Sequence, residues 1–535
     1  MKLKIIYTIF SLIILLSCQK NEKNINYNDI TINLGPYPLT IDPSLNVDIW
    51  TMTYLIHCFE GLVTKDKDNN IIPGIAEKWD ISDDGLTYTF YLRTNAKWSD
   101  GKPVTANDFV YSWRRVVDPN VAAKFSYFME PIKNAKEIIA GEKSIEELGV
   151  KAIDDYTFEV TLSSPTAYFI DFISSTIYFP TRKDIIEKYG DNWTFNPETY
   201  IGNGAFKMIE RIEDEKIIMI KNTNYYNIDN IKPEKLTFIL MEDGNASLGG
   251  FINKTLDFVK PFPKNDIENL QNQGFVHIEN LAATYYYYFN LTNEIFKDIR
   301  IRKALAISID RNYIVKKITK LNEKPINGIV PYGIKGRIKD FRDESDEYFS
   351  ILEKDYTNNI IEAKKLLAEA GYPDGKNFPV LELTTTTREF DIKIAEFIQN
   401  IWKENLGINI RINKYEYPIY ISFMYGKNFG DIGTYVYYAD FNDPINFLNL
   451  IKKDIPNNFG SFDDELYNSY LNIASITNDN EYRMDLLFKA EKNLINNFAI
   501  IPLYSYSEAF LVSPNLKGVE YDPMGMVRFH YAYLE

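Results

Sequence analysis

Residues 30–34 read Ile-Thr-Ile-Asn-Leu, an alternation of apolar and polar positions that predicts a half-buried strand. The same period of two returns over 86–92, just after the turn signal Asp84-Gly85, and again over 158–162. Continuous apolar runs at 217–220, 236–240, 432–436 and 500–504 fit strands covered on both faces. Between them the spacing becomes helical, at 51–62, 182–189, 299–318, 362–370, 390–406 and 485–496. Phe109, Ser112, Trp113 and Val116 share one helical face, behind a Thr105 to Asp108 spacing that suits a capping box. Gly371 with Pro373, and Gly407, mark two helix ends. Residues 333–355 are charged and without period, as in a surface loop. No internal repeat is evident. Strands alternating with helices over such a length predict α/β lobes.

The first turn of the chain carries Lys2 and Lys4, then an apolar run over 5–16, short for a membrane span, and then Leu15-Leu16-Ser17-Cys18. This resembles the lipobox of bacterial lipoproteins. It implies a signal peptide over 1–18, acylation of Cys18, and a polar tether over 19–28. The alternative is an ordinary secretory signal with an incidental Cys. The second cysteine, Cys58, has no partner for an intramolecular disulfide once Cys18 is acylated, and its apolar neighbours suit a buried small hydrophobe.

The 535 residues exceed one small core, and the formal net charge of −15 argues against a nucleic-acid partner. Tyr (39) and Phe (34) are abundant, which suits wet apolar pockets but also follows from an AT-rich codon usage. The three histidines, His57, His277 and His530, show no metal-ligand spacing, and no Gly-x-Ser-x-Gly elbow occurs, so a hydrolase is a weak alternative.

A series of motifs gives a sharper expectation. Ala76-Glu77-Lys78-Trp79, the run from Tyr88 through Arg93, Ala96-Lys97-Trp98-Ser99-Asp100-Gly101 and the segment from Val104 to Trp113 resemble the signature region of the oligopeptide-binding family of extracellular solute-binding proteins, family 5, of bacterial ABC importers. Asn203-Gly204-Ala205-Phe206-Lys207, Asn224-Tyr225-Tyr226, Arg300-Ile301-Arg302-Lys303-Ala304-Leu305, the helix from Glu362 to Gly371, and Ala439-Asp440-Phe441-Asn442-Asp443-Pro444 continue it in the family's order. The resemblance implies a two-lobed periplasmic-binding-protein fold of class II type, with an extra subdomain in the first lobe and a hinge. Mapped here, lobe one takes 29–281 plus 505–535, the inserted subdomain 61–183, and lobe two 282–504.

It further implies a monomeric, lipid-anchored extracytoplasmic protein that captures short peptides and passes them to the permease and ATPase subunits of an ABC importer. No catalytic residue, metal or cofactor is expected. A buried carboxylate must meet the peptide's α-amino cation, because an unpaired charge between closing lobes is costly. Asp440 matches the family's Asp, and Asn442 or Asp443 with Pro444 suffices to start the following helix. Val436, Tyr437 and Tyr438 align with the ligand-pairing strand of lobe two, and Val47, Asp48 and Ile49 with the opposing strand of lobe one. Tyr417 matches a pocket Trp, and Tyr286, in the run of four tyrosines from Tyr285 to Tyr288, is expected on the cleft wall. Phe125 stands where relatives place a Tyr hydroxyl, and Pro261, Thr434 and Asp391 depart from an Asn, a basic residue and a His. These departures leave peptide length open, and with it a murein peptide, a nickel chelate or haem as the solute.

Overall fold

A computed structural model describes residues 28–46 and 48–535. Its centre is a mixed eleven-stranded sheet. From one edge the strands run Ile410–Tyr415, Leu381–Thr386, Ile432–Tyr438, Val276–Phe289, Ile500–Val512, Phe258–Val259, Asp29–Gly35, Lys235–Leu240, Lys216–Lys221 and Phe206–Ile212. Lys324–Pro325 adds a short strand on Ile500–Val512.

Two strands carry the chain through the whole sheet. Val276–Phe289 has 14 residues and Ile500–Val512 has 13. At ~3.3 Å per residue each is about 45 Å long, enough to serve two bodies in turn. They pair antiparallel in two stretches, with residues 276–280 against 507–511 and residues 284–288 against 500–505. Between the stretches the register breaks, from Asn280 opposite Ser507 to Thr284 opposite Ser505. Three residues of one strand therefore face only Tyr506 of the other. Such a bulge bends the strand and loosens the ladder locally.

On one side of the break, Tyr285 and Tyr287 pack with Leu305, Ile398 and Trp402, while Tyr286 and Tyr288 on the opposite face join Tyr420, Met424 and Phe429. Helices cover both faces, so the four tyrosines show no alternation of burial even though their side chains alternate. On the other side of the break, an antiparallel sheet in the order Ala76–Ile81, Thr87–Leu92, Thr157–Thr161, Val150–Asp154 is inserted in the chain between Asp29–Gly35 and Phe206–Ile212. Helix Ala106–Val117 closes it with Phe109, Trp113 and Val116, and Trp113 meets Phe158 edge-on at 5.0 Å. The Asp108 carboxylate accepts from Thr105 N at 2.8 Å and from Thr105 Oγ1 at 3.1 Å, so the spacing marks a real helix start.

The last residues return to this half. Phe529 N donates to His57 Nε2 at 3.0 Å, and His530 stacks on His57 at 4.7 Å. Because Nε2 accepts, the Nδ1 of neutral His57 donates to Thr53 O at 2.5 Å. Burial pushes the His57 pKa down to about 4.

Two expectations need correction. The helix expected over 299–318 is broken: Ile299–Ile307 ends at Ser308, Asp310 caps Arg311–Tyr313, and Ile314–Thr319 winds as a π-turn. The stretch 333–355 is not all surface, since Phe341 is buried and Arg342 pairs with Glu491 beneath it. The apolar run at 5–16, the lipobox with Cys18, and Val47 lie outside the described residues. No helix among the described residues is long and apolar enough to cross a membrane.

Candidate functional site

Strand Ile432–Tyr438 has one filled edge and one open edge. Along the first, every residue from Ile432 to Tyr438 is paired with Val276–Phe289. Along the second, only Ile432 and Gly433 pair, with Leu383 and Thr384. Ala439 N donates to Ala282 O at 2.8 Å, which fixes the alternation of the ladder. The amide and carbonyl groups of Val436 and Tyr438 therefore point away from Val276–Phe289, toward an edge with no strand on it among the described residues. An open edge of this kind can take one more strand from another chain.

The strand ends in the turn that holds Asp440. Its Oδ2 accepts from the Tyr437 hydroxyl at 2.5 Å and from Asn446 Nδ2 at 3.4 Å. Its own N–H donates to Asn446 Oδ1 at 2.9 Å, so the turn is locked. No Lys, Arg or His lies within ion-pair distance of this carboxylate among the described residues. Burial raises its pKa above the ordinary value, and the bonds from Tyr437 and Asn446 only partly oppose that.

Asp443, three residues on, is the contrasting case. It receives Arg483 Nη1 and Nη2 at 2.8 and 2.7 Å, and accepts Ile445 N at 2.9 Å. It thus also holds the first residue of the next helix, Ile445–Leu448, and Asn442 accepts instead from Lys335 N at 2.8 Å. Asp440 has neither task.

The turn packs against the inserted sheet's half of the molecule. Phe441 stacks on Tyr168 at 4.7 Å and meets Phe172 edge-on at 4.9 Å. Tyr127 lies within electrostatic reach of Asp440, and Phe125 packs on Tyr127 and Phe128 at 5.9 and 5.3 Å. Tyr438 turns to the other face and meets Tyr506, at the register break, edge-on at 5.6 Å. Asp440, Tyr437, Tyr438, Val436 and Phe125 are thus gathered where the two halves meet.

Other expected site residues take different local structure from that expected. Asp48 and Ile49 are not in a strand. Asp48 is the N-cap of helix Ile49–Cys58, accepting from Trp50 N at 3.1 Å and Thr51 N at 3.2 Å, a residue type and position that capping chemistry explains. Tyr286 is not a cleft wall. It is buried at 1% exposure, with its ring 6.1 Å from Tyr435, because helices cover its face of the sheet. Tyr417 opens helix Tyr417–Tyr425 and is 55% exposed. Sequence reasoning missed Tyr127, Asn446 and Arg483. Only Asn446 had a signal, being an amide within one turn of Asp440.

A cavity of about 280 Å³ lined by Glu60, Lys65, Tyr225, Tyr226 and Arg528 shares no residue with the Asp440 turn. Burial pushes the Glu60 carboxyl up to about 7 there. Among the described residues no group of three or more His, Cys, Asp or Glu could hold a metal ion.

The model of the bacterial extracellular solute-binding proteins, family 5, matches residues 70–459. The chain is 33% identical over 512 residues to the oligopeptide-binding protein OppA of Bacillus subtilis, covering 95% of this chain and 92% of that one. It is 34% identical over 485 residues to the periplasmic murein peptide-binding protein MppA of Escherichia coli, covering 90% and 88%. Among solved structures, the unliganded open form of MppA superposes with a TM-score of 0.80 at 32% identity over 95% of this chain and 98% of that one. Haemophilus influenzae OppA in complex with the peptide RPPGFSPFR gives 0.77 at 31% identity, covering 95% and 99%. The shared fold is the two-lobed α/β binding-protein fold.

Proposed function

The chain belongs to family 5 of the bacterial extracellular solute-binding proteins, and from that premise we propose that it captures short peptides and delivers them to the permease and ATPase of an ABC importer. The observation that carries this reading is Asp440, a half-buried carboxylate with no cation beside it among the described residues, next to a strand edge that has no partner strand among them either. A peptide of any sequence brings what both lack: an ammonium group at its start and amide N–H and C=O groups behind it. Strand addition satisfies the backbone of Val436 and Tyr438, and the ammonium neutralises Asp440.

Closure is a rotation about the register break, with lobe one as 29–281 plus 505–535, the inserted subdomain as 61–183, and lobe two as 282–504. Bending at 281–283 and Tyr506 disturbs few ladder bonds, which supports this division. Acylation of Cys18 anchors the monomer to a membrane, in the periplasm or at the cell surface. Replacement of Cys18 by Ala should abolish labelling by radioactive palmitate and release the protein.

A murein peptide is a second reading, favoured by the TM-score of 0.80 with the open form of MppA, against 0.77 with the Haemophilus influenzae OppA complex. It too presents an amine and backbone amides. Native mass spectrometry of the protein purified without added ligand, followed by denaturation, separates the readings. Bound linear peptides support the first reading, and bound wall peptides with a diamino acid support the second. An empty protein whose melting temperature no peptide raises contradicts both.

A further inference from the structure

We propose that the cavity beside Glu60 is a second binding site, for the ammonium group of a small primary amine. It shares no residue with the Asp440 turn, so it goes beyond the peptide reading and does not depend on it.

The cavity holds about 280 Å³, just below the range of ordinary ligand pockets, which suits a molecule of a few non-hydrogen atoms. Residues that follow helix Ile49–Cys58, the pair Tyr225-Tyr226 and the last residues of the chain enclose it. Asn203 grips the backbone of Glu60 on both sides, accepting from its N–H at 3.0 Å and donating to its carbonyl at 2.9 Å, so the carboxylate is carried on a fixed stem.

The two oxygens of that carboxylate differ. Oε1 accepts from the Tyr225 hydroxyl at 3.0 Å and the Tyr226 hydroxyl at 3.3 Å. Oε2 is buried and has no hydrogen-bond partner among the described residues, and Glu60 as a whole is only 9% exposed. A buried acceptor left without a donor is costly, and more so when it carries charge. Arg93, the cation within electrostatic reach, is engaged elsewhere. Its Nε donates to Gly74 O at 2.7 Å and its guanidinium lies over the Tyr226 ring at 4.6 Å. Lys65 and Arg528, also on the wall, stand 4.0 and 3.2 Å from the buried carboxylate of Asp522.

His530 adds a second acceptor to the same wall. One ring nitrogen meets the Ile56 carbonyl and must carry the proton of the neutral ring, while the buried Nδ1 has no partner among the described residues and presents a lone pair. The two unpartnered buried polar atoms on this wall are therefore both acceptors, one of them on a carboxylate. A primary ammonium supplies N–H donors and the positive charge together. The rings of Phe179, Tyr225 and Tyr531 line the cavity as well, and aromatic surroundings favour a cation.

The test is ligand-detected NMR with ethylammonium chloride as the probe, at about pH 8, reading the saturation passed from the protein to the probe's methyl protons. Wild type and Asp440→Asn should bind the probe equally. Glu60→Gln should weaken it roughly tenfold or more. Glutamine keeps an oxygen for the two phenols, and a melting curve checks that the variant folds. Tetramethylammonium carries the same charge without an N–H and should not displace the probe from the wild type, a comparison that needs no variant. Full binding by Glu60→Gln, loss of binding in Asp440→Asn, displacement by tetramethylammonium, or no transfer to the wild type overturns the assignment. None of these outcomes touches the peptide reading, which fails only if the protein binds no peptide.

Discussion

Arg483 closes on Asp443 with both outer nitrogens, at 2.8 and 2.7 Å, while the carboxylate of Asp440, three residues earlier in the same turn, accepts from a phenol and an amide. The two acids therefore do opposite work. Asp443 is neutralised within the fold, whereas Asp440, in the function proposed above, is the charge that a peptide's amino group would meet.

That contrast sets the first expectation. Asp443→Ala leaves the 1% exposed Arg483 side chain without its carboxylate, and breaking such a buried pair costs about 3–5 kcal/mol. Asp440→Asn removes a half-buried carboxylate that has no cation beside it among the described residues, so it should leave the melting temperature of the free protein unchanged or raise it. Thermal denaturation of both variants checks the pair of outcomes.

How far this site was legible follows from which contacts are local. The strand at 432–436, the turn after it and the acid at Asp440 stand in one short stretch of sequence. The cation that neutralises Asp443 sits 40 residues away in another helix, so that one acid is paired and the other is not appeared only on folding. Tyr286 was misplaced because alternation gives two faces without saying that helices cover both. Asp48 was placed in a strand although its type and position suit a helix cap. The helix expected over 299–318 failed at Ser308, where a second cap at Asp310 restarts the chain. Gly407, with φ +71°, ended its helix as expected, since the left-handed region suits glycine.

Acid should weaken peptide binding through Asp440. Burial raises its pKa in the free protein, so the carboxylate takes up a proton at a higher pH than an exposed Asp. An ammonium ligand prefers the ionised form. Affinity should therefore be full above the raised pKa and fall as pH drops through it, by at most about tenfold per unit. Titrations at decreasing pH check this, with Asp440→Asn as the pH-independent control.

The stacked histidines give a stability signature of their own. Burial lowers His57 to about 4 and holds His530 well below its ordinary value, with the charges of His57 and Arg528 adding to the effect on His530. In the unfolded chain each titrates near ~6.5. Between those limits the unfolded state binds protons that the folded state refuses, so this contribution is full above about pH 6.5 and is lost as pH falls. Glu60 and Glu323, both raised to about 7 by burial, act with the opposite sign. The wild-type dependence is therefore shallow, and the difference is the test. Relative to His530→Asn, the wild type should lose stability on acidification by up to about 1.4 kcal/mol per pH unit. Urea midpoints of both proteins across pH 7.5 to about 5 measure it.

The Asn203-Gly204 motif is expected to be structural. Asn203 Oδ1 accepts from Glu60 N at 3.0 Å and its Nδ2 donates to Glu60 O at 2.9 Å, as a neighbouring strand would. A Cβ on Gly204 would stand 2.6 Å from Phe59 N and Cys58 C, which are backbone atoms that cannot swing aside. Gly204→Ala should cost about 1–3 kcal/mol, read as a lower urea midpoint with an unchanged slope.

The most direct test of the account is a calorimetric cycle on the amine and its proposed anchor. Trialanine and N-acetyl-trialanine are titrated into wild type and Asp440→Asn. Acetylation and the mutation should each weaken binding roughly ten- to a hundred-fold, as for one charge-assisted contact, and their combination should cost little more than either alone. Losses that simply add, or an Asp440→Asn protein that binds trialanine as the wild type does, would contradict the claim that Asp440 waits for a peptide's amino group.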